Sequence, residues 1–102
     1  MTRVVVSPEA ERDLRDLLDR IADAVGERTA ESYVDRLVTV VERLARIPRA
    51  SGRPVPQLGE GLRCHPFGNY NLYLRYEEPT DILFLVRVLH GRRNIVRTFF
   101  EP

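Results

Sequence analysis

A chain of 102 residues, 43% of them apolar, has room for one domain (residues 1–102) around one modest core, and its composition is that of an ordinary globular protein. A formal net charge of +1 argues against a general polyanion binder. No run of about 18 apolar residues is present to cross a membrane.

The N-terminal "MTRVVVSPEAERDL" lacks the apolar core of a secretory leader, and the single cysteine, Cys64, cannot close an internal disulfide. Both point to the cytoplasm. Charge is unevenly divided: residues 1–47 carry eight Arg against ten Asp or Glu, and residues 48–102 carry eight against five. All sixteen basic residues are arginine. A genome-wide preference for arginine codons would produce this, and so would selection for bidentate contacts to carboxylate or phosphate. Either way, no lysine base or Schiff base is available.

"TRVVVS" is a β-branched run suited to a buried strand. Ser7 and Pro8 then form a helix start, with Glu9 and Glu11 near the positive end of the helix dipole. Ala10, Leu14, Leu17, Leu18, Ile21, Ala22 and Val25 recur at helical spacing, and Gly26 is a stop. A second amphipathic helix carries Ala30, Tyr33, Val34, Leu37, Val38, Val41, Leu44 and Ala45 inward and ends before Pro48. Val40 falls off this stripe, a hint of a partner on the far side. Residues 48–61 hold three Pro and three Gly and read as a loop. Three strands follow: "GLRCHPF", "NYNLYLRYE" and "DILFLVRVLH", joined by "PFGNY" and "EEPTD" turns. Tyr70, Leu72, Leu74 and Tyr76 share one face of the middle strand, and Asn71, Tyr73 and Arg75 the other. The last strand is apolar enough to be covered on both faces. The order β-α-α-β-β-β implies an α+β fold, a helical hairpin packed on a mainly antiparallel four-stranded sheet.

Catalytic signatures are sparse. No glycine-rich loop joins a strand to a helix, and Cys64, His65 and His90 lack the paired spacing of a metal site, so no metal and no cofactor is expected. Cys64 and His65, adjacent on a strand, point to opposite faces and make a poor nucleophile–base pair. What remains is arginine: Arg63, Arg75 and Arg87 on three consecutive strands, with Arg92 and Arg93 just beyond. On one sheet face the first three would make a concave basic patch; the competing expectation pairs each with a local acid.

"SPEAERDL", "GERTAESYVDRL", "GLRCHPFGNYNLYLRYE" and "ILFLVRVLHGRRN", in this order, resemble the ParE/RelE toxin superfamily of type II toxin–antitoxin systems, most closely its ParE-like branch. The resemblance spans nearly the whole chain. It implies a toxin that inhibits DNA gyrase by binding and stalls replication, neutralised in a heteromeric complex by a cognate, ParD-like antitoxin. The antitoxin, rather than this chain, would make the sequence-specific DNA contacts. The other branch implies a ribosome-dependent mRNA endonuclease. In that reading Arg63 and Arg93 stand near phosphate-contacting positions and His90 is a candidate base. Phe99 falls where some such nucleases carry a tyrosine and cannot transfer a proton, while Arg53 is a poor base. The nuclease pattern is therefore partial, and inhibition by binding is the favoured expectation. Under it the partner-binding candidates are Arg63, Arg75, Arg87, Arg92 and Arg93 on the sheet side and Tyr33, Leu37 and Val40 on the helix side.

Overall fold

The computed structural model describes residues 1–101. Strand β1 (Arg3–Val6) leads into helix α1 (Pro8–Val25) and helix α2 (Glu27–Leu44). A 3-10 turn (Pro48–Ala50) and the two-residue strand β2 (Arg53–Pro54) precede β3 (Leu62–Phe67), β4 (Tyr70–Glu77) and β5 (Ile82–His90). A second 3-10 turn covers Arg97–Phe100.

The sheet runs β1-β5-β4-β3-β2, with β1 parallel to β5 and the other pairs antiparallel. It has five strands rather than the expected four. The additional one lies inside the segment read as loop, where Pro54 obscured it. A proline is tolerated there because β2 is an edge, with no ladder beyond it.

Ser7 makes the transition from strand to helix. Its hydroxyl accepts the Ala10 N–H at 3.0 Å, capping α1, and donates to the Val86 carbonyl at 2.8 Å, tying the helix start to β5. Gly26 serves both helices: its N–H closes α1 on the Ala22 carbonyl, and its own carbonyl accepts from Ala30 to open α2. Its φ of 98° is open to glycine and strained for other residues, which allows the hairpin so short a join.

The helices cover one face of the sheet. Ala10, Leu17, Leu37 and Val41 meet Leu72, Leu74, Leu83, Leu85 and Val88 there. Val25, expected in the stripe of α1, is exposed at the helix end instead. The opposite face has its own smaller core of Val55, Leu62, Cys64, Tyr73 and Leu89, covered by Leu58, Ile95, Phe99 and Phe100. Strand β5 feeds both cores, as its apolar run implied, but not by simple alternation. Tyr73 pairs with Arg87 and Leu74 with Leu85, leaving Val86 as an extra residue in a β-bulge. The bulge reverses the phase: Leu83 and Leu85 face the helices before it, and Val88 does so after it. Arg87 is thereby turned away from the helix-packed core, into which unbroken alternation would have driven it.

Candidate functional site

The bulge delivers Arg87 to Asp13 of α1. Arg87 Nε and Nη2 donate to the two Asp13 oxygens at 2.7 and 3.0 Å, and the Val88 N–H donates to the same carboxylate at 2.9 Å. The pair is largely buried, with side chains 16% and 11% exposed. Hydrogen bonding to Asp13 holds the guanidinium's pKa above its ordinary value despite the opposing effect of burial. Asp13 also satisfies the free edge of β5, whose partner β1 ends at Val6. The third Arg87 donor group, Nη1, reaches the Phe99 carbonyl at 3.2 Å. Arg87 is thus a structural clamp among helix, sheet and C-terminal segment, and the expectation of a free partner-binding arginine there is corrected.

Arg63 and Arg75 are engaged differently. Arg63 donates to the Ser51 and Gly52 carbonyls at 3.0 and 2.7 Å, and Arg75 to the Glu60 carbonyl at 3.2 Å. Leu62 and Cys64, on either side of Arg63, face the smaller core, so Arg63 faces the helix side. Arg75 pairs with Leu62 and Arg87 with Tyr73, which places both on the opposite face. The three strand arginines therefore do not share one face, and the concave basic patch is not formed. Two of them fasten the 51–61 segment, and its neighbourhood leaves no slack: a Cβ on Gly52 would sit 2.4 Å from the Cys64 carbonyl oxygen.

His90 ends β5 in a defined role. Its Nδ1 accepts the Arg92 N–H at 3.0 Å, which assigns the ring proton of the neutral form to Nε2. Its ring packs edge-on against Tyr70 at 5.1 Å. Arg93 lies over the Phe99 ring at 4.7 Å, with Arg87 near the same ring at 5.7 Å. Arg92 and Arg93 are exposed. Beside them a cleft of about 450 Å³ runs between α1 and the end of β5, lined by Asp16, Arg20, Tyr70, His90 and Arg93.

Of the three nuclease candidates, His90 and Arg93 line one cleft and Arg63 stands apart from it. Arg63 pairs with Leu74 and His90 with Tyr70, four residues apart on β4, a separation of about 13 Å along the strand. Cys64 lies buried at 2% exposure, and burial pushes its thiol up against the opposing influence of Arg53. It is a core residue.

On the helix side, Leu37 is fully buried in the main core, and Val40 packs against that core. Neither presents the free apolar groove expected of it; Val38, placed in the inward stripe from sequence, is the large apolar residue of α2 left exposed. Tyr33 is half-buried, its hydroxyl donating to the Phe67 carbonyl at 3.4 Å and its ring edge-on to Phe67, with Arg36 stacked over it. A larger groove, about 960 Å³, follows the unpaired edge of β1 and the end of α2, lined by Thr2, Arg3, Val4, Glu42, Ala45 and Arg46.

Asp13 is the residue that sequence reading passed over. The signal was present: Asp13 stands between Ala10 and Leu17 at three- and four-residue spacing, an acid on an inward-facing stripe.

The family model described as the ParE toxin of the type II toxin–antitoxin system parDE matches residues 4–95. The chain is 33% identical over 98 residues to Toxin ParE1 of Mycobacterium tuberculosis strains CDC 1551 / Oshkosh and H37Rv, covering 94% of this chain and 96% of that protein. Among solved structures it resembles the chromosomal ParDE toxin–antitoxin system of P. aeruginosa, with a TM-score of 0.76 and 19% identity over 88% of this chain and 96% of that one. It also resembles the RelBE2 toxin–antitoxin complex of Mycobacterium tuberculosis, with a TM-score of 0.60 and 27% identity over 87% and 96% of the two chains.

Proposed function

Since the chain belongs to the ParE toxin family of type II toxin–antitoxin systems, we propose that it acts by binding DNA gyrase and stalling it, and that a cognate antitoxin neutralises it by covering its surface. The observation that carries this reading is the engagement of its chemistry-bearing side chains. Arg63, Arg75 and Arg87 hold the fold together, and the His90 Nδ1 lone pair caps a turn. Arg63 pairs with the middle of β4 and His90 with its start, so Arg63 does not join His90 and Arg93 around a common phosphate. Arg92 and Arg93, with the cleft beside them, remain as exposed cationic groups suited to recognition rather than reaction.

The antitoxin belongs on the open side of β1. An edge strand next to a groove between Val4 and Ala45 accepts an added strand or an amphipathic helix from a partner, and the mixed charge of the groove, Arg3 and Arg46 beside Glu42 and Asp81, suits a partner carrying both signs. The solved neighbours are themselves described as toxin–antitoxin assemblies, which supports a heteromeric complex here.

Purified chain added to gyrase and supercoiled DNA should accumulate cleaved DNA, and expression without antitoxin should give filamented cells with intact bulk mRNA. Codon-aligned cuts in translated mRNA, with no effect on gyrase, would overturn this reading in favour of the ribosome-dependent nuclease.

A further inference from the structure

The segment after β5 is a short terminal stretch laid on the sheet without joining its hydrogen-bonded ladder. Residues 95–100 lie over the helix-free face, where Ile95, Phe99 and Phe100 pack on the cluster of Val55, Leu62, Cys64, Tyr73 and Leu89. Phe100 meets the Tyr73 ring at 4.8 Å. This cover is effective: the five cluster residues are each 4% exposed or less. Yet its polar attachment is slight. Among the described residues, the hydrogen bond from Arg87 Nη1 to the Phe99 carbonyl is the one that joins residues 95–101 to the rest of the chain. The segment's own backbone bonds, Phe99 to Val96 and Glu101 to Thr98, are local, as is the Arg97–Glu101 ion pair. By contrast β3, β4 and β5 are laced by continuous ladders.

We infer that the C-terminal segment is a strap, held by Arg87 and by the Phe99 and Phe100 rings, that lifts from the sheet as a unit while the helix-packed layer stays folded. A short, partly exposed terminal segment with no sheet ladder, one hydrogen bond to its support and an otherwise apolar contact belongs to the low-stability end of a fold, opening below the global unfolding free energy. Exposed Asn94 precedes it and supplies the turning point, while Gly91 stays held by its N–H bond to the Asn69 carbonyl at 2.7 Å. Lifting has two chemical consequences. It uncovers an apolar patch centred on Tyr73 and Leu89, and it removes the Phe99 ring from Arg87 and Arg93. Asp13 keeps its two bonds to Arg87 throughout, because they do not pass through the strap. The strap therefore changes the face and the Arg93 surface without dismantling the clamp. This inference stands on packing and hydrogen bonding alone and does not depend on which macromolecule the toxin targets.

Cys64 is a natural reporter, being the sole cysteine and buried in the covered cluster. Its labelling by a thiol reagent is measured in the unmodified chain against urea concentration, alongside hydrogen exchange of core β4 amides such as Leu72. Lifting of the strap predicts a labelling rate nearly independent of urea at low concentration, while Leu72 exchange tracks global unfolding. The Phe99→Ala/Phe100→Ala variant should label about tenfold faster or more with its helical circular dichroism retained. Labelling that follows the global unfolding slope from zero urea, or a folded double variant that labels no faster than the unmodified chain, would overturn the strap. Should the double variant not fold, the urea dependence of the unmodified chain decides the matter unaided.

Discussion

Asp13 and Arg87, 74 positions apart in the chain, form a two-bond ion pair at 2.7 and 3.0 Å with both side chains mostly out of solvent. Few contacts in this fold bind so many elements at once: α1 supplies the acid, β5 the guanidinium, and the strap the carbonyl on Nη1. The pair exists because the bulge at Val86 turns Arg87 off the helix-packed face, and because Asp13 sits one helical turn beyond the residue that Ser7 caps. A buried pair of this kind is poor evidence of net stabilisation compared with an apolar substitute, but removing one partner strands the other.

Asp13→Ala should therefore destabilise the chain by about 3–5 kcal/mol, leaving Arg87 uncompensated and the Val88 N–H without its acceptor. Urea unfolding followed by circular dichroism measures this. Asp13→Leu combined with Arg87→Met should cost less than Asp13→Ala alone, since no buried charge remains. Equal or greater loss in the double variant would show that the pair contributes more than it costs in desolvation.

Two glycines set a second contrast. A Cβ on Gly52 meets the backbone of Cys64 at 2.4 Å, whereas on Gly68 it meets the hydroxyl of Tyr33 at 2.6 Å, and both residues have positive φ. Backbone in a sheet cannot retreat, but a tyrosine oxygen can be removed. Gly68→Ala should cost about 1–2 kcal/mol in the left-handed conformation, partly restored by Tyr33→Phe, while Gly52→Ala should cost more and have no such single-site rescue. Thermal unfolding of the three single variants and the double variant tests the ordering.

Asp81 links the strand termini and makes stability sensitive to acid. It accepts hydrogen bonds from the Thr2 and Tyr76 hydroxyls, both at 2.7 Å, and these hold its carboxyl below the ordinary value of 3.8. A carboxylate depressed on folding contributes stability that is fully present above its unfolded pKa and lost as pH falls through the folded one. Stability should thus decline below about pH 4 in the unmodified chain, and Asp81→Asn should decline less steeply over that interval. Asn also tolerates the φ of 53° at this position, so the substitution isolates the charge. Denaturation midpoints between pH 2 and 6, for which about two units on either side of the carboxylate range suffice, reveal whether the slopes differ.

Helices and the three long strands were legible in the sequence because each carries a strong periodic or β-branched pattern bounded by Ser7, Gly26, Pro48 and the two turns. The family membership was legible for the same reason, since its motifs span those elements. The arginines were not. Their positions on strands were read correctly, but a sequence pattern assumes unbroken alternation, and the β5 bulge at Val86 is a single inserted residue with no compositional mark. Alternation also placed Arg63 opposite its neighbours' face only once the strand pairing was known. Likewise β2 was hidden because Pro54 opposes a strand reading and an edge excuses it. The helical stripe had placed Leu37 inward, and its full burial follows that pattern against its assignment to a partner surface. Val40 lay off the stripe and is half-buried because the width of the buried face depends on how deeply the hairpin sits on the sheet, which no periodicity encodes.

The last expectation separates fastening arginines from recognising ones. Arg63 donates to two loop carbonyls, so Arg63→Ala should loosen residues 51–61 and lower stability by about 1–3 kcal/mol. Any loss of toxicity should then track the loss of folded protein. Arg92→Ala/Arg93→Ala removes exposed groups whose main intramolecular contact is the Arg93 stack on Phe99, worth about 0.5–1 kcal/mol at such a site. Its melting temperature should change little, while inhibition of gyrase falls by about tenfold or more, the loss of one or two charge-assisted contacts. Supercoiling assays at matched concentrations of folded protein make the comparison. Full inhibition by the double variant would remove the end of β5 from the toxic surface and direct attention to the β1 edge instead.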